Sequence, residues 1–149
     1  MTAEQGQTVR LEIDSELANT TLIAMAVRGL CAMTTLSPVE VNRVELCVVE
    51  IVNNAIEHAY GYEKGHKVEV GVGLQKSTLH LTISDWGKPM DEGKLGAGDS
   101  PVDPVDPDDP AAWLCSGRGL TIVQSLMDKV EYQIDGDKNS FIMSKQIRS

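Results

Sequence analysis

Aromatic side chains are scarce. One Phe, two Trp and three Tyr make up 4% of the 149 residues, so the core must rest on Val, Leu, Ile, Ala and Met. Basic residues are also few, with 13 Lys and Arg against 22 Asp and Glu, for a formal net charge of -9. That balance lacks the basic face that a direct grip on nucleic acid requires, and it argues equally against an anionic membrane surface. Long apolar runs are absent. The most apolar stretch, Leu22 to Val27, is too short to span a bilayer, and Arg28 follows it. The opening MTAEQGQTVRLEI has no signal-peptide pattern. Cysteines number three, Cys31, Cys47 and Cys115, widely spaced and without a CxxC pair. They read as reduced buried thiols of a cytoplasmic protein rather than a disulfide frame or a zinc site. His58, His66 and His80 lack ligand spacing with them. Neither a Walker A loop nor a Rossmann GxGxxG occurs.

What is present suits one domain with one core. Residues 8 to 13, TVRLEI, alternate like a strand. Asp14 and Ser15 offer N-cap oxygens for a helix from about Glu16 to Met33. Ser37-Pro38-Val39-Glu40 predicts a capping box with Pro at the first helical position, opening a helix to about His58. Val68, Val70, Val72 and Leu74 alternate on one strand, and Leu79, Leu81 and Ile83 on the next, with a turn at Gln75 to Thr78. From Lys88 to Ala112 periodicity ends, and five of the six prolines gather there among glycines and aspartates. A loop of that length inside a compact domain is functional or disordered. A helix, LTIVQSLM, and a last hairpin turning near Asp135 and Gly136 close the chain. The order β-α-α-β-β-loop-α-β-β predicts an α+β two-layer sandwich.

The long helix carries an apolar stripe, Val44, Val48, Ile51 and Ala55. Glu50 and Asn54 share another face, with Glu57 and His58 one turn on. A solvated surface is the commoner setting for such a pair. The functional alternative has a physical basis. An Asn oxygen ligates a hard cation such as Mg²⁺, and a Glu one turn away accepts a proton from a hydroxyl or water.

Asp85-Trp86-Gly87-Lys88-Pro89-Met90-Asp91 leaves the end of a strand. It reads either as a plain turn or as a base-binding loop. In the second reading the Asp85 carboxylate accepts from an adenine amino group and Gly87 lets the flat base lie close to the backbone. A strand end is a poor place for a purely structural charge. Ser116-Gly117-Arg118-Gly119-Leu120 precedes a helix, where backbone N–H groups favour an anion and Arg118 adds charge.

Together, ELCVVEIVNNAIEHAY, SDWGKPMD and SGRGLTIVQSLMD resemble the N, G1 and G2 boxes of the histidine-kinase-like (GHKL, Bergerat-fold) ATPases. They are most similar to the anti-sigma factor serine/threonine-protein kinases of bacterial partner-switching systems. The matched positions are Glu50, Asn54, Ala55, His58, Ala59 and Tyr60, then Asp85, Gly87, Pro89 and Asp91, then Gly117 to Leu120 and Asp128. The resemblance implies a mixed, mostly antiparallel sheet covered on one face by helices, in one domain over residues 1–149 with an ATP lid near 88–116. It implies Glu50 as general base and Asn54 as the Mg²⁺ ligand. Nucleotide contacts are implied at Asn54, His58, Asp85, Gly87, Met90, Gly117, Arg118, Gly119 and Leu120. The implied cofactors are ATP and Mg²⁺. The implied partners are a sigma factor, an anti-anti-sigma (STAS-domain) protein and a second copy of the chain, with no direct nucleic acid and no membrane. Two alternatives stand beside this reading: a non-catalytic, ATP-gated binding regulator, and a partner-switch kinase with an output other than a sigma factor.

Overall fold

The computed structural model describes residues 6–90 and 119–147. Residues 91–116 of the expected lid, together with Cys115, Gly117 and Arg118, lie outside the described residues. Five strands form one sheet: β1 (Gln7–Asp14), β2 (Lys67–Leu74), β3 (Thr78–Asp85), β4 (Lys129–Asp135) and β5 (Lys138–Gln146). Their spatial order is β1-β2-β3-β5-β4. Every pairing is antiparallel, so the sheet, expected to be mixed but mostly antiparallel, is antiparallel throughout the described residues.

The alternation read from the sequence is what assigns the faces. Val68, Val70, Val72, Leu79, Leu81, Ile83, Phe141 and Met143 are buried and point to one side. Helices α1 (Thr20–Cys31), α2 (Pro38–Asn54) and α3 (Gly119–Leu126) cover that side. Their contribution to the core includes Ile23 and Val27, then Val44, Val48, Ile51 and Val52, then Ile122 and Val123. The predicted stripe of Val44, Val48, Ile51 and Ala55 is buried along its length. Each fully buried aliphatic side chain contributes about 1.5–3 kcal/mol, which outweighs the exposed Arg28–Glu45 ion pair between α1 and α2, since a surface pair contributes about 0–1 kcal/mol. Cys31 and Cys47 are buried free thiols, pushed up to about 11 and about 12, in each case chiefly by burial. Among the described residues no helix is long and apolar enough to cross a membrane.

Two helix ends differ from expectation. Asp14 and Ser15 do not cap α1. Asp14 closes β1, and Ser15 Oγ donates to the Glu63 carbonyl at 2.6 Å and accepts from His66 N–H at 3.1 Å. These polar groups serve the long-range loop at residues 61–67, and the chain enters α1 through a 3₁₀ turn, Leu17–Asn19. At the other end of the helical layer, α2 is α-helical only to Asn54. It continues as a π turn, Ala55–Ala59, in which Tyr60 N–H reaches back to the Ala55 carbonyl at 3.1 Å. A π turn of this kind places one residue more in the turn than an α-helix holds.

The capping box at Ser37 is formed as read. Glu40 N–H donates to Ser37 Oγ, and Ser37 N–H donates to the Glu40 carboxylate. Ser37→Ala is expected to remove about 1 kcal/mol of stability, or about 3 °C in melting temperature for a domain of this size. Thermal unfolding followed by circular dichroism checks this, and an unchanged midpoint refutes it.

Candidate nucleotide-binding site

The three polar segments singled out in the sequence meet on the helical side of the sheet. The end of α2 carries Glu50 and Asn54 into the π turn. The turn after β3 carries Asp85 and Gly87, and the first turn of α3 carries Gly119 and Leu120. Three contacts hold the first two segments together, and a fourth ties Tyr60 to β2. Tyr60 Oη accepts from Trp86 N–H at 2.8 Å and donates to the Lys67 carbonyl at 2.6 Å. Lys88 N–H donates to the Ala59 carbonyl at 2.8 Å. A Cβ on Gly87 would lie 2.4 Å from that same carbonyl oxygen and 2.8 Å from the Tyr60 ring. So Gly87 must be glycine because the end of the long helix occupies the space of its side chain. This contact within the protein is a reason for glycine here beside the expected one, room for a flat base.

Asp85 is buried, 6% exposed. Its Oδ1 accepts from Asn139 Nδ2 at 2.9 Å and from Gly87 N–H at 3.0 Å, while Asn139 Nδ2 also donates to the Gly87 carbonyl at 3.0 Å. Burial raises the carboxyl above its ordinary range, and the bonds from Asn139 and Gly87 act against that. Asp85 therefore does have a structural task, contrary to the expectation for a strand end: it fixes the turn. Both bonds from described residues end on Oδ1, so Oδ2 takes none from them. Asn139 escaped the sequence reading. It pairs directly with Asp85 across β3 and β5, a register the local sequence does not announce. The available signal was an Asn two residues before Phe141 and four before Met143, on the inward face of its strand.

Glu50 is half-buried. Burial, and next the nearby negative charge of Glu57, hold its carboxyl above the ordinary glutamate range. Asn54, the last α-helical residue, makes no side-chain hydrogen bond among the described residues. Its neighbour Asn53 accepts instead from Thr20 Oγ1 at 2.9 Å and ties α2 to α1. His58 is exposed on the π turn. Met90 and Leu120 are partly buried and pack on the core, and Met90 N–H donates to Tyr132 Oη at 2.8 Å. Trp86 lies under Lys67 Nζ, 4.3 Å from the ring centre, with Lys138 Nζ at 5.6 Å. A separate cavity of about 280 Å³, lined among others by Thr8, Arg10, Gly71, Gly73, His80 and Thr82, opens on the uncovered face of the sheet. These residues alternate with the buried ones of β2 and β3, so this cavity is not where the three segments meet.

Among the described residues the arrangement provides a buried carboxylate with one oxygen unbonded, an amide without a side-chain partner, and a second carboxylate of raised proton affinity, gathered around two helix ends. Comparisons with known proteins bear on the fold and the family. A family described as the histidine kinase-like ATPase domain matches residues 13–145. The anti-sigma F factor of Oceanobacillus iheyensis is 32% identical over 112 residues, covering 72% of this chain and 70% of that protein. The serine-protein kinase RsbW of Bacillus licheniformis is 28% identical over 114 residues, covering 76% of this chain and 70% of that one. The crystal structure of the RsbU and RsbW domains of Rv1364c from Mycobacterium tuberculosis superposes with a TM-score of 0.65 at 14% identity, covering 96% of this chain and 33% of that one, a likeness of fold. The chain belongs to the histidine kinase-like ATPase domain family, and within it to the ATP-dependent serine-protein kinases and anti-sigma factors.

Proposed function

We propose that this protein phosphorylates a serine or threonine of a small anti-anti-sigma (STAS-domain) protein, and that it holds a sigma factor inactive until the unphosphorylated form of that protein displaces it. The observation that supports the reading most is the convergence of Glu50, the Asp85 turn and the start of α3 at one place in the fold. In this reading the protein works in the cytoplasm as a homodimer.

The residues present fit an adenine nucleotide. Asp85 Oδ2 is an acceptor for the adenine amino group, and Asn139 and Gly87 hold the carboxylate in place through Oδ1. Asn54 has its side-chain oxygen free of described partners, as a cation ligand requires. No group of three or more His, Cys, Asp or Glu gathers among the described residues, so Mg²⁺ held at Asn54 would complete its shell from phosphate oxygens and water. That ion would neutralise charge on the phosphates. His58, Met90, Gly119 and Leu120 border the same region, with Met90 and Leu120 shaping it through the core, and Gly117 and Arg118 are assigned to the phosphates. Glu50 accepts the proton of the attacking hydroxyl. The hydroxyl oxygen bonds to the terminal phosphorus as the bond to ADP breaks. A carboxyl of raised proton affinity suits that task better than an exposed one.

Three outcomes are expected. Asn54→Ala loses the Mg²⁺-dependent part of ATP binding in titration calorimetry, and equal affinity with and without the substitution removes Asn54 from the site. Asp85→Asn weakens adenine nucleotides about tenfold or more, the loss of one hydrogen bond to a charged group being about 1.5–3 kcal/mol. The amide oxygen of the new side chain still accepts from Asn139 and Gly87, so the melting temperature without nucleotide changes little; a large drop there with unaltered affinity would reverse the assignment.

The third outcome concerns Glu50. Glu50→Ala retains nucleotide binding and loses transfer of labelled phosphate to the STAS protein, whereas transfer at the wild-type rate points to another base or to the non-catalytic reading. Glu50 also carries a pH signature. Its folded-state pKa lies above the unfolded value, so its favourable contribution to stability is complete below the unfolded value and is lost as pH rises through the folded one. Glu50→Gln should therefore melt higher than wild type above neutrality, with the difference vanishing at acid pH. A constant difference across that range speaks against a buried charge.

A further inference from the structure

Gly119, the first residue of α3, is buried against α2. The space its side chain would fill is occupied. A Cβ built there lies 1.6 Å from Glu50 Oε1, 2.2 Å from Glu50 Cδ and 2.8 Å from Glu50 Cγ. All three are outer atoms of one side chain, and none belongs to the backbone. This differs from Gly87, where a backbone carbonyl lies in the way. At Gly87 a methyl group opposes the Ala59 carbonyl and the Tyr60 ring; at Gly119 the three nearest atoms it opposes belong to the flexible Glu50 side chain. The carboxylate also rests at the N-terminal end of α3, where the helix dipole favours negative charge.

We propose that Gly119 is a positioning residue for phosphoryl transfer: the missing side chain forms the seat that holds the Glu50 carboxylate between α2 and α3. The proposal rests on Glu50 acting as the base. A misplacement of about 1 Å in a reacting group costs on the order of a hundredfold in rate, and a methyl group on Gly119 displaces the carboxylate by at least that much.

The test is a double-mutant cycle on the full chain, with phosphoryl transfer to the STAS protein and ADP affinity measured in parallel. Gly119→Ala is expected to lower kcat about a hundredfold, with any change in ADP affinity the same in the Glu50→Ala background as in the wild type. In a Glu50→Ala background the same substitution should cost nothing further, because the group it displaces is gone. If Gly119→Ala alone does not fold, the Gly119→Ala/Glu50→Ala protein must, since that change deletes all three atoms in conflict. Transfer by Gly119→Ala at the wild-type rate overturns the proposal. So does an equal further loss in the Glu50→Ala background, or a double variant that does not fold. Glu50→Ala transferring at the wild-type rate removes the base assignment itself, a result distinct from any given by Gly119→Ala.

Discussion

The close approach of two main chains, at Gly87 and at Ala59, sets the rest of the site. One lies in the turn that leaves β3 and the other in the π turn that ends the long helix. Their contact carries a backbone hydrogen bond from Lys88, and Tyr60 braces it from the side through Trp86 and Lys67. The helix is itself anchored in the core by Val44, Val48 and Ile51, so the turn inherits the rigidity of the core. That suits a binding site, because a constellation on elements locked by packing loses little entropy when a ligand arrives.

Charge is managed differently at the two carboxylates. Asp85 is buried with an amide and a peptide N–H as compensation. Glu50 has no such partners among the described residues, and Glu57 lies near enough to oppose its ionisation. The first carboxylate is thus held in one fixed orientation. The second is kept at some expense of stability in a state ready to take up a proton, a common trade at functional sites.

What could be read from the sequence was what is written locally. The capping box at Ser37 and Glu40 depends on four consecutive residues, and the β2–β3 hairpin on alternation and a short turn. Glu50, Asn54, Asp85 and Gly87 could be singled out as candidates because motif order is also local. Asn139 was not, since its meaning lies in being opposite Asp85 in a register set by the whole sheet. Ser15 was misjudged for the same reason: a hydroxyl before a helix is a natural cap, but a loop brought in from residues 61–67 offered stronger partners. The reason for Gly87 was likewise hidden, because no pattern in the sequence reveals that another main chain passes beside it.

The π turn at Ala55–Ala59 has a consequence for how this helix can change. An α-helix advances about 100° per residue, and the extra residue adds a step of that size to its phase. Before the step the buried stripe of α2 faces the core, and after it Tyr60, itself buried, also reaches the turn through its hydroxyl. Loss of a single residue here would leave a more regular helix and rotate Tyr60 away from Trp86. The irregularity works as a coupling of fixed angle between two surfaces with different demands, so this segment tolerates replacement of side chains far better than a change in length.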